Sequence, residues 1–176
     1  MTRNAHAMAG LTLLELVVTM AVLVVTVTIA IPSFQGVVER TRTASAYHQL
    51  TASLMLARST AVTRREPVVV CPSADGYRCR KDLVWEDGWI VFPDPLRNGQ
   101  PAGPADVLRR ADPIGGGLQV RTSRGRPLVR YLPNGRTSGS NLSLRVCRGE
   151  DQLLARVVVN NVGRTRTERT SGSTPC

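Results

Sequence analysis

Three groups of residues in this 176-residue chain have types and spacings that could do chemistry. The first is a lone acid, Glu15, which stands inside the otherwise uncharged apolar run from Leu11 to Ile31, shortly after Gly10. An acid near mid-bilayer costs a few kcal/mol on insertion scales, so it needs a counter-charge. The second is four cysteines. Cys71 and Cys79 flank a short segment containing a turn, and Cys147 can reach Cys176 if the tail closes back onto a strand, so two local disulfides are expected. Four cysteines allow three connectivities, and the sequence leaves the others open. Zinc held by the four thiolates is the rival, but no C-x-x-C pair occurs, so no metal is expected.

The third group is basic. Arg164, Arg166 and Arg169 follow Gly163 and face one nearby acid, Glu168. No apolar residue lies between Val162 and Pro175, so this tail reads as a mobile basic loop tied down at Cys176. Such a segment can follow a phosphate backbone without reading bases. No aromatic side chain is interleaved, which argues against stacking on single-stranded bases.

An enzyme is not expected. There is no G-x-S-x-G, no H-E-x-x-H and no phosphate-binding glycine loop. Beyond the first ten residues His48 is the only histidine, on a helical segment, where it reads as a surface or neighbour contact. Glu86 and Asp87 are adjacent, and adjacent strand residues face opposite ways, which makes them a poor acid/base couple. No cofactor is implied.

The elements that carry these groups are legible in the pattern. The run Leu11–Ile31 is 21 residues, long enough as a helix to cross a bilayer once. A secretory signal would have a shorter apolar region, no internal acid and a small-x-small site, whereas Pro32-Ser33-Phe34 follows here. From Ser33 to about Arg64, Tyr47, Leu50, Leu54, Ala57 and Ala61 recur at helical spacing, opposite Arg42, Ser45, Gln49, Ser59 and Thr63. Pro67 ends this amphipathic continuation. Short strands follow at Val68–Cys71, Trp89–Phe92, Leu118–Thr122, Leu128–Leu132, Leu142–Cys147 and Leu153–Val159. Asp75-Gly76 and Asn134-Gly135 are the hairpin signals. Between Pro93 and Gly117, five prolines and five glycines predict a long irregular loop with one short strand at Val107–Arg110. The charge is uneven. Residues 67–99 carry four bases and five acids, whereas residues 100–148 carry nine arginines against Asp106 and Asp112. The net charge of +10 favours acidic partners or anionic surfaces.

Ala9-Gly10-Leu11-Thr12-Leu13-Leu14-Glu15 and the apolar run resemble the class III signal of type IV pilins and pseudopilins. The resemblance implies that a prepilin peptidase cuts after Gly10 and that Leu11 becomes the N-methylated first residue. Glu15 would then pair with a neighbouring subunit's α-ammonium during assembly. Leu11 departs from the family's usual Phe, and Pro32 falls where the family has its helix kink. CPSADGYRC, then Trp85-Glu86-Asp87-Gly88-Trp89-Ile90-Val91-Phe92-Pro93-Asp94, is similar to the FimT/GspH family of minor pilins and pseudopilins. Val162-Gly163-Arg164-Thr165-Arg166 before Cys176 resembles its FimT branch, whose tail carries a Gly-Arg-x-Arg motif associated with DNA binding in natural transformation.

The expected architecture is α+β and pilin-like: a long amino-terminal helix packed on an all-β head of antiparallel strands in two sheets. The expected divisions are a leader at 1–10, a transmembrane helix at 11–31, its amphipathic continuation at 32–66, a β-rich periplasmic head at 67–160 and a basic tail at 161–176. The amino terminus would stay on the cytoplasmic side of the inner membrane, since long domains translocate largely regardless of charge, and the cysteines would sit in an oxidising periplasm. Expected partners are the peptidase, other pilins in a filament and double-stranded DNA contacted by Gly163, Arg164, Arg166 and Arg169. The alternative is a structural pseudopilin of a type II secretion system that binds no nucleic acid.

Overall fold

The computed structural model describes residues 12–149, 151–170 and 174–176, with Pro32 and Ser33 described in their backbone alone. One helix, α1, runs Leu13–Arg64. It is followed by β1 (Val68–Pro72), β2 (Trp89–Pro93), β3 (Arg109–Ala111), β4 (Leu118–Thr122), β5 (Val129–Tyr131), β6 (Leu142–Arg148), β7 (Gln152–Val159) and β8 (Thr165–Arg169). Two units divide the chain, one ending at Arg40 and the other covering Thr41–Cys176.

The first unit is the apolar part of α1. Its large side chains are exposed from Leu13 through Ile31, and the segment is long and apolar enough to cross a membrane, with a mean hydropathy of 2.5. Its threonines do not leave polar groups bare. Thr19 donates to the Leu16 carbonyl at 2.9 Å, Thr28 to that of Val25 at 2.8 Å, and Thr26 to that of Val22. Each hydroxyl is thereby satisfied within the helix, as an apolar medium requires.

In the second unit, α1 buries Ala46, Tyr47, Leu50, Leu54, Ala57 and Ala61, the stripe set by its helical spacing. This stripe meets the inner faces of two antiparallel four-stranded sheets in a single core. Sheet 1 has the order β3-β2-β1-β5 and sheet 2 the order β4-β6-β7-β8. Burying each large aliphatic or aromatic side chain there is worth about 1.5–3 kcal/mol. The helix stops where Arg65 takes a φ of 55° and Pro67 can no longer donate a backbone hydrogen bond.

The sheets differ as their sequences do. Val68–Cys71 and Trp89–Phe92 read as continuous apolar runs and are buried on both faces. Val69, Cys71, Ile90 and Phe92 form a second cluster on the outer side of sheet 1, packed against Cys79, Val107 and Leu128. Their cover is the long proline- and glycine-rich connection, in which the short strand is β3, displaced to Arg109–Ala111 from the expected Val107–Arg110. Gln100 locks this cover to the Cys71–Cys79 loop, accepting from the Cys79 amide and donating to its carbonyl, each at 3.0 Å. Sheet 2 alternates buried and partly exposed residues along β4, β6 and β7, so one face meets the core and the other meets solvent.

Two expectations require correction. Asp75-Gly76 is a turn inside the long β1–β2 connection and does not join the two paired strands. The pattern was ambiguous because Asp75 closes its own turn: its Oδ1 accepts from the amides of Tyr77 at 2.8 Å and Arg78 at 2.9 Å. Those amides hold the Asp75 carboxyl below its ordinary pKa. Asn134-Gly135 does close a tight turn, between Tyr131 and Thr137. The backbone of α1 stays helical through residue 32. The second correction concerns the basic tail, which is not a mobile loop: residues 165–169 form the edge strand β8, paired with β7 from Val159↔Thr165 to Ala155↔Arg169. Backbone pairing to the free edge of β7 supplies what the side chains lack, and Thr165 and Thr167 are β-branched.

Candidate nucleic-acid interface

β7 and β8 are joined by a turn at residues 160–164. The Gly163 amide donates to the Asn160 carbonyl at 2.9 Å, and the Arg164 amide donates to Asn160 Oδ1 at 2.8 Å. Gly163 is buried with a φ of 80°, and a Cβ placed there would lie 1.9 Å from the Gly135 carbonyl oxygen. Only glycine fits. Arg58 fastens the same spot from α1, donating to the Gly135 carbonyl at 3.1 Å and the Val162 carbonyl at 3.3 Å. Thr137 adds a hydroxyl bond to the Asn160 carbonyl at 3.0 Å. The turn that presents the tail arginines is therefore built against two other segments.

The alternation of β8 separates residues that the sequence groups together. Thr165, Thr167 and Arg169 face the helix and the core seam. Thr165 Oγ1 lies 3.5 Å from Tyr131 Oη, Thr167 Oγ1 lies 3.4 Å from Thr51 Oγ1, and Arg169 donates to Tyr47 Oη at 2.5 Å. Arg166 and Glu168 point the other way and form an exposed ion pair at 2.9 Å. Such pairs contribute at most about 1 kcal/mol, so Glu168 does not commit Arg166. Arg164 is exposed, and its side chain has no hydrogen-bond or ionic partner among the described residues. Of the four residues grouped by sequence, Gly163 shapes the turn, Arg164 and Arg166 reach solvent, and Arg169, itself exposed, also ties β8 to the helix through Tyr47. Strand alternation separates them, although Thr165–Arg169 carries no apolar alternation from which the strand could be read.

The arginines that precede the tail are mostly engaged. Arg130 donates to Asp94 Oδ2 through Nε at 3.1 Å and Nη2 at 2.7 Å, and Asp94 is buried. Arg121 pairs with Glu86, which also accepts from the Val120 amide at 3.1 Å. Arg126 donates to the carbonyls of Ser138 at 2.7 Å and Ser140 at 2.9 Å. Asp87 pairs with Arg80, so Glu86 and Asp87 both serve structure. Tyr131, buried at the seam, has its pKa raised by desolvation, opposed by its bond to Thr165 and by the charge of Arg58.

Cys71 is bonded to Cys79 and Cys147 to Cys176. Among the described residues, no group of three or more His, Cys, Asp or Glu side chains could hold a metal ion. Gly10 and Leu11 lie outside the described residues. Glu15 lies in the first turn of α1, where its amide is capped by Thr12 Oγ1 at 3.2 Å. Thr12-Leu13-Leu14-Glu15 is thus half of a capping box, and an acid there also complements the positive end of the helix dipole. The sequence carried this T-x-x-E signal, hidden behind the more conspicuous acid in an apolar run.

A helix bare and apolar in one stretch and packed on a two-sheet head in another defines a subunit of the pilin class. The family described as type II transport protein GspH matches residues 46–163, and the chain belongs to that family. The chain therefore falls among the minor pilins and pseudopilins, subunits that assemble with other pilins in a filament. Its fold resembles the type IV minor pilin FimU of Pseudomonas aeruginosa, with a TM-score of 0.61 and 21% identity, covering 77% of this chain and 95% of that one. A second crystal form of FimU gives a TM-score of 0.57 at 21% identity, over 74% and 96% of the two chains. The minor pseudopilin EpsH from the Type 2 Secretion System of Vibrio cholerae gives 0.53 at 13% identity, over 76% and 99%. No curated protein sequence matches the chain significantly.

Proposed function

We propose that this protein is a minor type IV pilin of FimT type that binds double-stranded DNA without sequence preference, serving DNA uptake in natural transformation. The observation that carries the reading is the pair Arg164 and Arg166, held on a braced turn and an edge strand, exposed and without a buried carboxylate partner. Two guanidinium groups so placed suit phosphates of a duplex, contacts that position a protein without reading sequence. The same reading takes Gly10 as the prepilin cleavage position, Leu11 as the methylated terminus and Glu15 as the assembly acid. The helix would be held first in the inner membrane and later in the filament, with the head on the periplasmic side.

The test is a mobility-shift titration of the detergent-solubilised full chain against unrelated duplexes at several salt concentrations. Affinity should be similar for all sequences, and Arg164→Gln with Arg166→Gln should weaken binding to all alike, lowering the salt slope by about 0.9 for each lost contact. Circular dichroism of the variant serves as the folding control. No binding by the parent at low salt would favour the second reading, a structural GspH-like pseudopilin, for which the match to the type II transport family speaks.

A further inference from the structure

The solvent face of sheet 2 carries a second basic feature that the tail motif does not include. In the strand register Arg121 stands opposite Arg145, and Arg145 stands opposite Arg156. Directly opposed side chains share a face with Cβ atoms about 5 Å apart, and like charges so placed are destabilising. Carboxylates relieve one end of the row. Glu86 takes Arg121, and Glu168, opposite Arg156, is already bonded by Arg166. Arg145 donates to the Cys176 carbonyl at 2.5 Å. The buried Nε of Arg156 has no partner among the described residues, which leaves a desolvated cationic donor unsatisfied.

These side chains line a groove of about 520 Å³ formed by Ser123, Arg124, Ser143, Arg145, Arg156 and Cys176. Three guanidinium groups and two serines, beside the Cys176 oxygen that Arg145 already holds, make a cradle for a compact anion with several acceptor oxygens. It lies on the same face of sheet 2 as Arg166, which is the diagonal cross-strand neighbour of Arg156, about 7–8 Å away.

We infer that this groove binds a phosphate group. The inference rests on the DNA reading above, under which the phosphate is a second phosphodiester of the same duplex. The bound strand then crosses the solvent face of sheet 2, from Arg166 on β8 past Arg156 and Arg145 to Arg124 beside β4. Arg145 is held partly by Cys176, so the disulfide that closes the tail also shapes the groove.

The experiment uses the full chain in detergent, with duplex DNA titrated over a range of salt, and compares Arg156→Gln with Arg124→Gln. Each should lower the salt slope by about 0.9 while Arg164 and Arg166 are intact, and should add to the loss caused by the tail variant. Arg124 is exposed, so its variant retains the fold and keeps the test decisive even if Arg156→Gln lowers stability. Unchanged slope and affinity in both folded groove variants, beside a tail variant that loses binding, would overturn the groove and leave the DNA reading standing. If the parent binds no duplex, the DNA reading fails, and inorganic phosphate becomes the probe. A phosphate-dependent rise in melting temperature that Arg156→Gln abolishes would keep the phosphate site, whereas no rise in the parent would overturn it.

Discussion

The central strands of sheet 1 are covered on both faces and sheet 2 on one, and Arg130 beside the first behaves differently from the arginines of the second. Arg130 of sheet 1 is held by the buried Asp94, which also accepts from the Gly99 amide at 3.2 Å. Under cover, a charge is kept only with a partner, because desolvation costs more than the fold can supply otherwise. On the open face of sheet 2, arginines stand opposite arginines, and solvent screens them enough for the fold to tolerate the repulsion. Basicity is therefore structural where a carboxylate holds it, as at Arg130 and Arg121, and available for partners at open positions that no carboxylate fills, such as Arg124. The excess of positive charge in residues 100–148 consists of both kinds.

The largest expected effect comes from breaking the rule in sheet 1. Asp94→Ala leaves Arg130 uncompensated beneath the long connection and should destabilise the head by about 3–5 kcal/mol. Urea unfolding followed by the fluorescence of Trp85 and Trp89, both buried, measures it. Adding Arg130→Met should recover a large part of the loss, and a double variant as unstable as the single one would show that burial of the pair is not the cause.

An intermediate effect is expected at the turn that presents the open-face arginines. Gly163→Ala must shift the Gly135 backbone and hold a non-glycine residue at a φ of 80°, so a loss of about 1–3 kcal/mol is expected. Salt slopes for DNA in the surviving folded fraction should stay near those of the parent if Gly163 acts through shape alone. A reduced slope at unchanged stability would instead make it part of the contact surface.

The smallest effect sharpens the seam between the sheets. Tyr131 of β5 reaches Thr165 of β8, and burial raises its pKa above the ordinary phenol value of 10.0. The folded chain thus keeps a proton that the unfolded chain gives up, so stability falls as pH rises above 10. The contribution is complete below that value and is lost as pH climbs through the folded pKa. Unfolding midpoints measured at pH 8, 9.5 and 10.5 should fall less steeply for Tyr131→Phe than for the parent, and parallel profiles would remove the seam from the alkaline limb.

Much of the fold was legible because period and punctuation are local properties. Tyr47, Leu50, Leu54, Ala57 and Ala61 repeat at helical spacing and are the buried stripe, and continuous apolar runs mark β1 and β2. β8 was not legible. Its residues, Thr-Arg-Thr-Glu-Arg, have neither an apolar alternation nor a turn signal to set their register. The strand exists because β7 offers an unpaired edge and the Asn160–Gly163 turn aims the chain along it.

The same division holds for the site. Residue type and order alone determined that residues 11–31 form an apolar, acid-bearing segment, that the tail is basic, and that the family motif from Trp85 to Asp94 is present. Which arginines remain available was decided by tertiary structure. Arg121 and Arg130 are close in sequence to Arg124, yet their carboxylates come from residues 35 and 36 positions away. Arg169 is close to Arg166, yet strand alternation turns it to Tyr47, across a separation of 122 residues. A guanidinium group is free or committed according to what the fold brings within about 3 Å of it, and that distance is not encoded in any local stretch of chain.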